Sequence, residues 1–220
     1  MQDKNKIPRA TAKRLALYYR SLKILHDKGV KRVSSSEIAD ELKLDSASIR
    51  RDFSFFGELG KRGYGYDVDK LLEFFSEILH VESTINVGLV GVGNLGRALV
   101  NYEFGDQNAL EIVAAFDSNK TKIDKPINNI PVYSIDKLAD QIKNDNISVM
   151  IMAVPADQAQ GVADDIVAAG IRGILNFTSI RPSVPANVRV QNVDLSTELH
   201  SLSYFVRNYD NILSNDRRGA

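Results

Sequence analysis

Residues 85–96, Ile-Asn-Val-Gly-Leu-Val-Gly-Val-Gly-Asn-Leu-Gly, open with an apolar run of strand length and close on glycines spaced G-x-G-x-x-G. Alone, the glycines say little. Their meaning rests on a strand before, a helix after, and an acidic residue about 20 positions further at the end of a second strand. Residues 85–90 supply the first strand, 97–102 a helical stretch, 111–116 the second strand, and Asp117, 21 positions after Gly96, the acid. In that context Gly91 permits a tight turn, Gly93 lets the backbone approach a pyrophosphate, and Gly96 allows close helix-to-strand packing. Val92, Asn94 and Leu95 complete the loop, and the helix N-terminus attracts the anion. Asp117 would accept hydrogen bonds from the adenosine ribose hydroxyls. A 2′-phosphate there would meet like charge, which favours NAD(H) over NADP(H), while Lys120 and Lys122 nearby leave that choice open.

Further apolar strands follow at 147–153, 173–177 and 188–193, separated by amphipathic stretches at 134–143 and 156–169. Strands alternating with helices predict an α/β, doubly wound parallel sheet of the Rossmann type. Val154, Pro155 and Thr178 stand at strand ends, on the carboxyl edge where such sheets bind ligands. Pro155 read as a turn former and Thr178 as a cap are the alternatives. No catalytic set or metal-ligand spacing accompanies the motif. The histidines are His26, His80 and His200, and the segment after 193 is too short for a substrate domain.

The chain has 220 residues, of which 44% are hydrophobic and 25% charged, as in ordinary globular proteins and unlike disordered or fibrous ones. No apolar run approaches the roughly 18 residues of a membrane span, and the charged N-terminus does not resemble a secretion signal, so a cytoplasmic location is expected. Without cysteine, thiol chemistry and thiolate metal sites are excluded. The 28 cations and 28 anions balance overall, but up to Tyr66 there are 15 cations and 8 anions, and after it 13 and 20. A net +7 segment joined to a net −7 segment points to a nucleic-acid-facing module attached to one with a different task.

Within the basic segment, Leu15, Tyr18, Leu22 and Leu25 recur at helical spacing, with Thr11 as the start signal and Gly29 as the stop. Ser34-Ser35-Ser36-Glu37 has the form of a capping box for a short second helix. After a tight turn at Lys43-Leu44, Asp45 suits the N-cap of a third helix running to about Phe56, a helix-turn-helix pattern over about 17–56. Ile49, Phe53 and Phe56 share the core side of that helix. Opposite them lie Ala47, Arg51 and Ser54, flanked by Ser48 and Arg50, with Ser46 at the start. Arginine bridges guanine, serine reaches base or phosphate, and the alanine methyl meets thymine, which is the chemistry of major-groove readout. Residues 57–66 hold four glycines, two cations and two tyrosines, so Lys61, Arg62, Gly63 and Tyr64 are expected at the tip of a basic β-hairpin wing. Arg9, Lys13 and Arg14 suit either phosphate or interdomain contacts.

The expected organisation is a winged helix-turn-helix domain at 1–80, a dinucleotide-binding domain at 81–195, and a C-terminal helix and tail at 196–220. In that tail Leu199, Leu202, Phe205, Val206, Tyr209, Ile212 and Leu213 make an apolar face. It suits docking on its own sheet or exchange between two subunits.

The stretches IPRATAKRLALYYR, SSSEIADELKLDSASIRRDFSFFGELGKRGYGY, GVGNLGRALVNYEF and VDLSTELHSLSYFV, in this order, closely resemble the redox-sensing transcriptional repressors of the Rex family over essentially the whole chain. The resemblance implies a homodimer that binds double-stranded operator DNA, leaves it when NADH binds, and exchanges C-terminal helices. It also implies a place for Tyr102 near the nicotinamide and for Asp194 at the dimer interface. Arg14 is a suggested ion-pair partner for Asp194 across that interface, and Phe205, on the apolar face of the tail, is expected to belong to the dimer switch with them. NAD⁺ differs from NADH by a positive charge, so an apolar nicotinamide pocket would favour NADH by desolvation. Nearly complete switching between two dimer arrangements would take about 10⁴-fold preference, enough to move two recognition helices off half-sites spaced by roughly 34–36 Å or a multiple. A small NAD-dependent oxidoreductase with a helical appendage is the main alternative, and a nucleotide-binding adaptor that touches only proteins is another.

Overall fold

The computed structural model describes residues 7–61, 63–81, 83–102, 104 and 110–209, residue 61 by its backbone. The chain divides into two compact units, Met1–Ser83 and Thr84–Ala220. The division falls three residues after the boundary the sequence suggests, and the segment from 196 onward groups with the second unit.

In the first unit, α1 (Arg9–Asp27) leads through β1 (Arg32–Val33) to α2 (Ser35–Leu42) and α3 (Ser46–Ser54). Strands β2 (Gly60–Lys61) and β3 (Gly65–Asp67) and helix α4 (Val68–Leu79) follow. Helix α1 begins at Arg9, so Thr11 is a buried residue inside the helix and not its start. The capping box at α2 is closed in both directions, with Glu37 N–H donating to Ser34 Oγ at 3.2 Å and Ser34 N–H donating to Glu37 Oε2 at 2.7 Å. Lys43 ends α2 in the left-handed conformation, and Asp45 caps α3 by accepting from Ser48 N–H. Helix α3 ends at Ser54, two residues before the sequence suggests. The wing is a three-stranded antiparallel sheet in the order β1-β3-β2. Its Gly65 must be glycine, because φ is +70° and a Cβ would stand 2.8 Å from the Val33 carbonyl oxygen.

Helix α4 is a further element that the sequence reading passes over. Val68, Leu71 and Phe75 bury one face of it against Tyr18 and Leu22 of α1, Ile38 of α2, and Ile49 and Phe53 of α3. The Phe53 ring is central, 5.0 to 5.4 Å from the centroids of Tyr18, Tyr66 and Phe75. Burying such an aromatic contributes roughly 1.5–3 kcal/mol, so this ring ties α3 to the rest of its unit.

The second unit is a six-stranded parallel sheet in the order β6-β5-β4-β7-β8-β9. The strands are β4 (Ile85–Val90), β5 (Leu110–Asp117), β6 (Val132–Ser134), β7 (Ile147–Met152), β8 (Gly173–Asn176) and β9 (Arg189–Asn192). The edge strand β6 is absent from the sequence reading. Helix α5 (Asn94–Val100) begins within the glycine motif, three residues earlier than expected. Helices α6 (Leu138–Asn144) and α7 (Ala159–Ala168) cover one face over Phe116, Met150 and Met152, and α5 lies on the other with Val87, Leu89 and Ile151. Helix α8 (Leu195–Arg207) has no buried residue. Strand β4 pairs with β5 on one side and β7 on the other, so connections leave it in both directions and a crevice opens at the carboxyl ends of β4 and β7.

Candidate functional site

The crevice is a cavity of about 530 Å³ lined by Gly91, Gly93, Asp117, Lys122, Val154 and Pro155 among others, with Gln158, the N-cap of α7, and Gly161, Val162 and Asp165 of that helix forming one wall. The three motif glycines are required for different reasons. Gly91 has φ +97°, and a Cβ would lie 2.4 Å from the Ala153 carbonyl oxygen. At Gly96 a Cβ would fall on the Gly91 carbonyl oxygen, 1.9 Å away. Gly93 is different, because a Cβ there would meet nothing within 4 Å. The protein's own packing does not demand that glycine, whereas a phosphate brought against the backbone would. Asn94 and Leu95 form the first turn of α5. The loop thus fits a dinucleotide pyrophosphate by the shape it leaves open. Gly161, on the α7 wall, likewise has open space where a Cβ would be and is a lining residue the motif does not reveal.

Asp117 ends β5 and is buried. Its Oδ2 accepts from Val92 N–H at 2.8 Å and from Lys122 Nζ at 2.9 Å, and its Oδ1 accepts from Asn119 N–H at 2.8 Å. Burial pushes this carboxyl up, but Lys122 and the two backbone donors outweigh it and hold the group below the usual carboxylate range. A carboxylate offers about four lone-pair sites, so one on Oδ1 remains for a ribose hydroxyl. Val92 is buried, and its N–H is already taken by Asp117.

Thr178 lies outside this lining. Its N–H and hydroxyl both bond Asn176 Oδ1, at 3.0 and 2.8 Å, while Asn176 Nδ2 donates to the Ile180 carbonyl and to Asn192 Oδ1. No described helix starts at Thr178, so it caps none; it is held by the fully buried Asn176, the hub that closes the end of β8.

In the first unit, α3 places Ala47, Arg50, Arg51 and Ser54 in solvent and Ser46 and Ser48 at half-buried positions. Ser48 Oγ is 3.2 Å from Asp45 Oδ2, and Ser54 Oγ donates to the Arg51 carbonyl at 2.7 Å, so both hydroxyls have local partners. Arg50 reaches Ser35 Oγ at 3.5 Å, whereas the Arg51 side chain has no hydrogen-bond partner among the described residues. In the wing, Gly63 has φ +79°, and the exposed Tyr64 ring carries the Arg32 guanidinium 5.1 Å from its centroid. Arg32 also donates to the Tyr64 carbonyl at 2.9 Å. This β1 residue adds a cation to the wing that the sequence reading does not assign. Arg62 and the Lys61 side chain lie outside the described residues.

Beneath the exposed face of α3, Asp52 is almost fully buried and accepts from three side chains of α1. Thr11 Oγ1 lies at 2.8 Å, Arg14 Nε and Nη2 at 2.6 and 2.8 Å, and Tyr18 OH at 2.5 Å. Burial pushes the Asp52 carboxyl up, and Arg14, Tyr18 and Thr11 together bring it below its ordinary range. Burial and the adjacent carboxylate push the Tyr18 phenol well above its usual value, so it stays a neutral donor. The bidentate ion pair fixes the angle at which α3 leaves α1.

Residues 6–54 match a family model described as "Putative DNA-binding protein N-terminus", and residues 82–180 match one described as "CoA binding domain". Curated relatives named redox-sensing transcriptional repressor Rex run almost the full length. The Leuconostoc citreum protein is 52% identical over 96% of this chain and 98% of its own, and the Bacillus licheniformis protein 53% over 94% and 96%. The chain belongs to the Rex family. RSP, a Rex-family repressor solved in complex with NAD⁺ and operator DNA, is 33% identical, with a TM-score of 0.85 covering 97% of this chain and 98% of its own. RSP in complex with NADH gives a TM-score of 0.82 at 32% identity over 95% and 98%.

Of the residues expected at the nicotinamide or the dimer interface, Tyr102 lies outside the cleft lining. Tyr102, just after α5, is exposed and stands edge-on to Phe104 at 5.0 Å. Asp194 caps α8, accepting from Ser196 N–H at 3.0 Å and Thr197 Oγ1 at 2.7 Å, and these bonds hold its carboxyl low. Phe205 is exposed on α8 beside Leu195, Leu199, Leu202 and Val206. Arg14, suggested as the partner of Asp194, is committed to Asp52 of its own unit. Ile212 and Leu213 lie outside the described residues.

Proposed function

We propose that this chain is a homodimeric transcriptional repressor that binds a palindromic operator through α3 and the wing and leaves it when NADH enters the cleft. The observation that carries the proposal is that one chain holds both an exposed Arg51-bearing recognition helix, locked to its unit by Asp52, and a dinucleotide cleft left open at Gly93. RSP, of the same family, is known with NAD⁺ and operator DNA together and with NADH.

Each part of the reading has a physical basis. Val154 and Pro155 give the cleft an apolar stretch, where the positive charge of an oxidised nicotinamide would lose solvation that the neutral reduced ring does not need. Helix α8 leaves six large apolar or aromatic side chains in solvent, more than a monomer usually leaves together. An exchange of α8 between protomers covers them, with Asp194 and Phe205 at the boundary. The chain acts as a receptor for the dinucleotide and not as a catalyst, because none of its histidines lines the cleft and Lys122 is engaged by Asp117. No described helix is long and apolar enough to cross a membrane, and we place the protein in the cytoplasm with the DNA it reads.

The test is a gel shift on a palindromic duplex selected by the protein from a random pool. NADH is expected to dissociate the complex while NAD⁺ does not, with no consumption of NADH over the assay. Equal release by NAD⁺, or steady NADH oxidation with a common metabolite, contradicts the proposal.

A further inference from the structure

Among the described residues Lys122 is the one cation in the cleft lining, and the turn that follows β5 puts it there. Asp117 Oδ1 accepts from Asn119 N–H, Asn119 Oδ1 accepts from Thr121 N–H at 2.9 Å, and Lys122 N–H donates to the Asn119 carbonyl at 3.0 Å. The chain doubles back in five residues, so the ammonium lands on the carboxylate at 2.9 Å. Lys120, two residues earlier, is exposed and outside the lining.

The pair changes the argument for cofactor choice. A bare Asp117 carboxylate would repel a 2′-phosphate outright, but here its charge is answered by an ammonium whose side chain keeps 28% of its surface open. An ammonium has three donors, of which one is spent on Asp117. The carboxylate would therefore act twice, accepting from a ribose hydroxyl and keeping Lys122 engaged and away from a phosphate on that ribose.

We propose that Lys122 is a latent 2′-phosphate-binding residue held out of use by Asp117, so that the choice between NAD(H) and NADP(H) is set by the pair. The proposal rests on the reading of the cleft as a dinucleotide site. It predicts that removing the carboxylate charge while keeping its shape converts the exclusion of NADPH into attraction, and that the conversion requires Lys122.

The experiment is calorimetric titration of the full chain with NADH and with NADPH. The wild type is expected to prefer NADH. Asp117→Asn should raise NADPH affinity at least roughly tenfold and lower that for NADH, because a charge-assisted bond to phosphate replaces one to ribose. Asp117→Asn/Lys122→Met should lose the gain. Lys122→Met alone, at a partly exposed position that keeps the fold intact, should weaken NADPH more than NADH, since the carboxylate then stands uncompensated. If Asp117→Asn gains NADPH affinity equally with or without Lys122, simple relief of repulsion explains selectivity and the proposal is wrong. It is also wrong if Lys122→Met weakens both dinucleotides alike. A wild type that binds neither dinucleotide overturns the cleft reading itself; a wild type that binds NADH while these contrasts fail overturns only the role of Lys122.

Discussion

Asp52 and Asp117 are both buried acids, each answered by one cation, yet they serve opposite ends of the molecule's task. The three side chains around Asp52 come from one helix, α1, and they close it in on that side. Around Asp117 two of three donors are backbone N–H groups of nearby turns, and the remaining side faces a cavity. Burial and a low-held carboxyl do not by themselves tell a structural acid from a ligand-facing one. What separates them is whether the last lone pair looks at protein or at open space.

The comparison breaks if either acid behaves like the other. Asp52→Ala leaves a half-buried guanidinium and a buried phenol and threonine hydroxyl without their acceptor, and each buried donor left unsatisfied costs about 1–3 kcal/mol. We expect urea unfolding to show that loss in the first unit and operator binding to disappear, with NADH affinity kept. If NADH affinity fell as well and stability did not, Asp52 would be part of the ligand site. The glycines give the same contrast within one loop. Gly96→Ala forces a Cβ onto a carbonyl oxygen and should cost about 3 kcal/mol of stability. Gly93→Ala, with open space around it, should change stability by less than about 0.5 kcal/mol while weakening NADH binding, as thermal unfolding with and without NADH would register. On the DNA side, Arg51→Ala should cost about 1–3 kcal/mol of operator affinity, the worth of one bidentate base contact, and leave NADH binding untouched. Fluorescence anisotropy with labelled duplex measures the first and calorimetry the second.

The smallest effect is in pH. The folded Asp52 carboxyl titrates below its unfolded value of about 4, so the stability it contributes is complete above that value and drains as pH falls through the lower folded one. Asp52→Asn should flatten that part of the acid limb of a stability–pH curve. An unchanged limb would mean the network carries no charge-dependent stability.

Much of this was legible in the residues. The alternation of strands with helices, the glycine spacing and Asp117 indicate the sheet and its crevice, because those signals are local. The capping box at Ser34 and the cap at Asp45 are local too. What the sequence conceals is long-range. Thr11, Arg14 and Tyr18 lie three and four apart on one face of α1, a polar stripe whose purpose appears only when Asp52, 34 to 41 residues away, is brought against it. Tyr18 reads as an apolar core residue and is also a hydrogen-bond donor. Helix α4 has caps and spacing as clear as any, yet it follows the glycine hairpin that draws attention from it. Strand β6 is three residues long, too short for a period to show. Lys122 becomes distinct from Lys120 only through the turn at Asn119.

In the proposed switch, occupancy of the cleft by the reduced dinucleotide governs the grip of α3 on DNA. The direct measurement is operator affinity by anisotropy at constant total dinucleotide, varying only the proportion of NADH to NAD⁺. Affinity is expected to fall steeply as the NADH share rises. An affinity that stays flat across the ratio, or follows total dinucleotide alone, would contradict the switch.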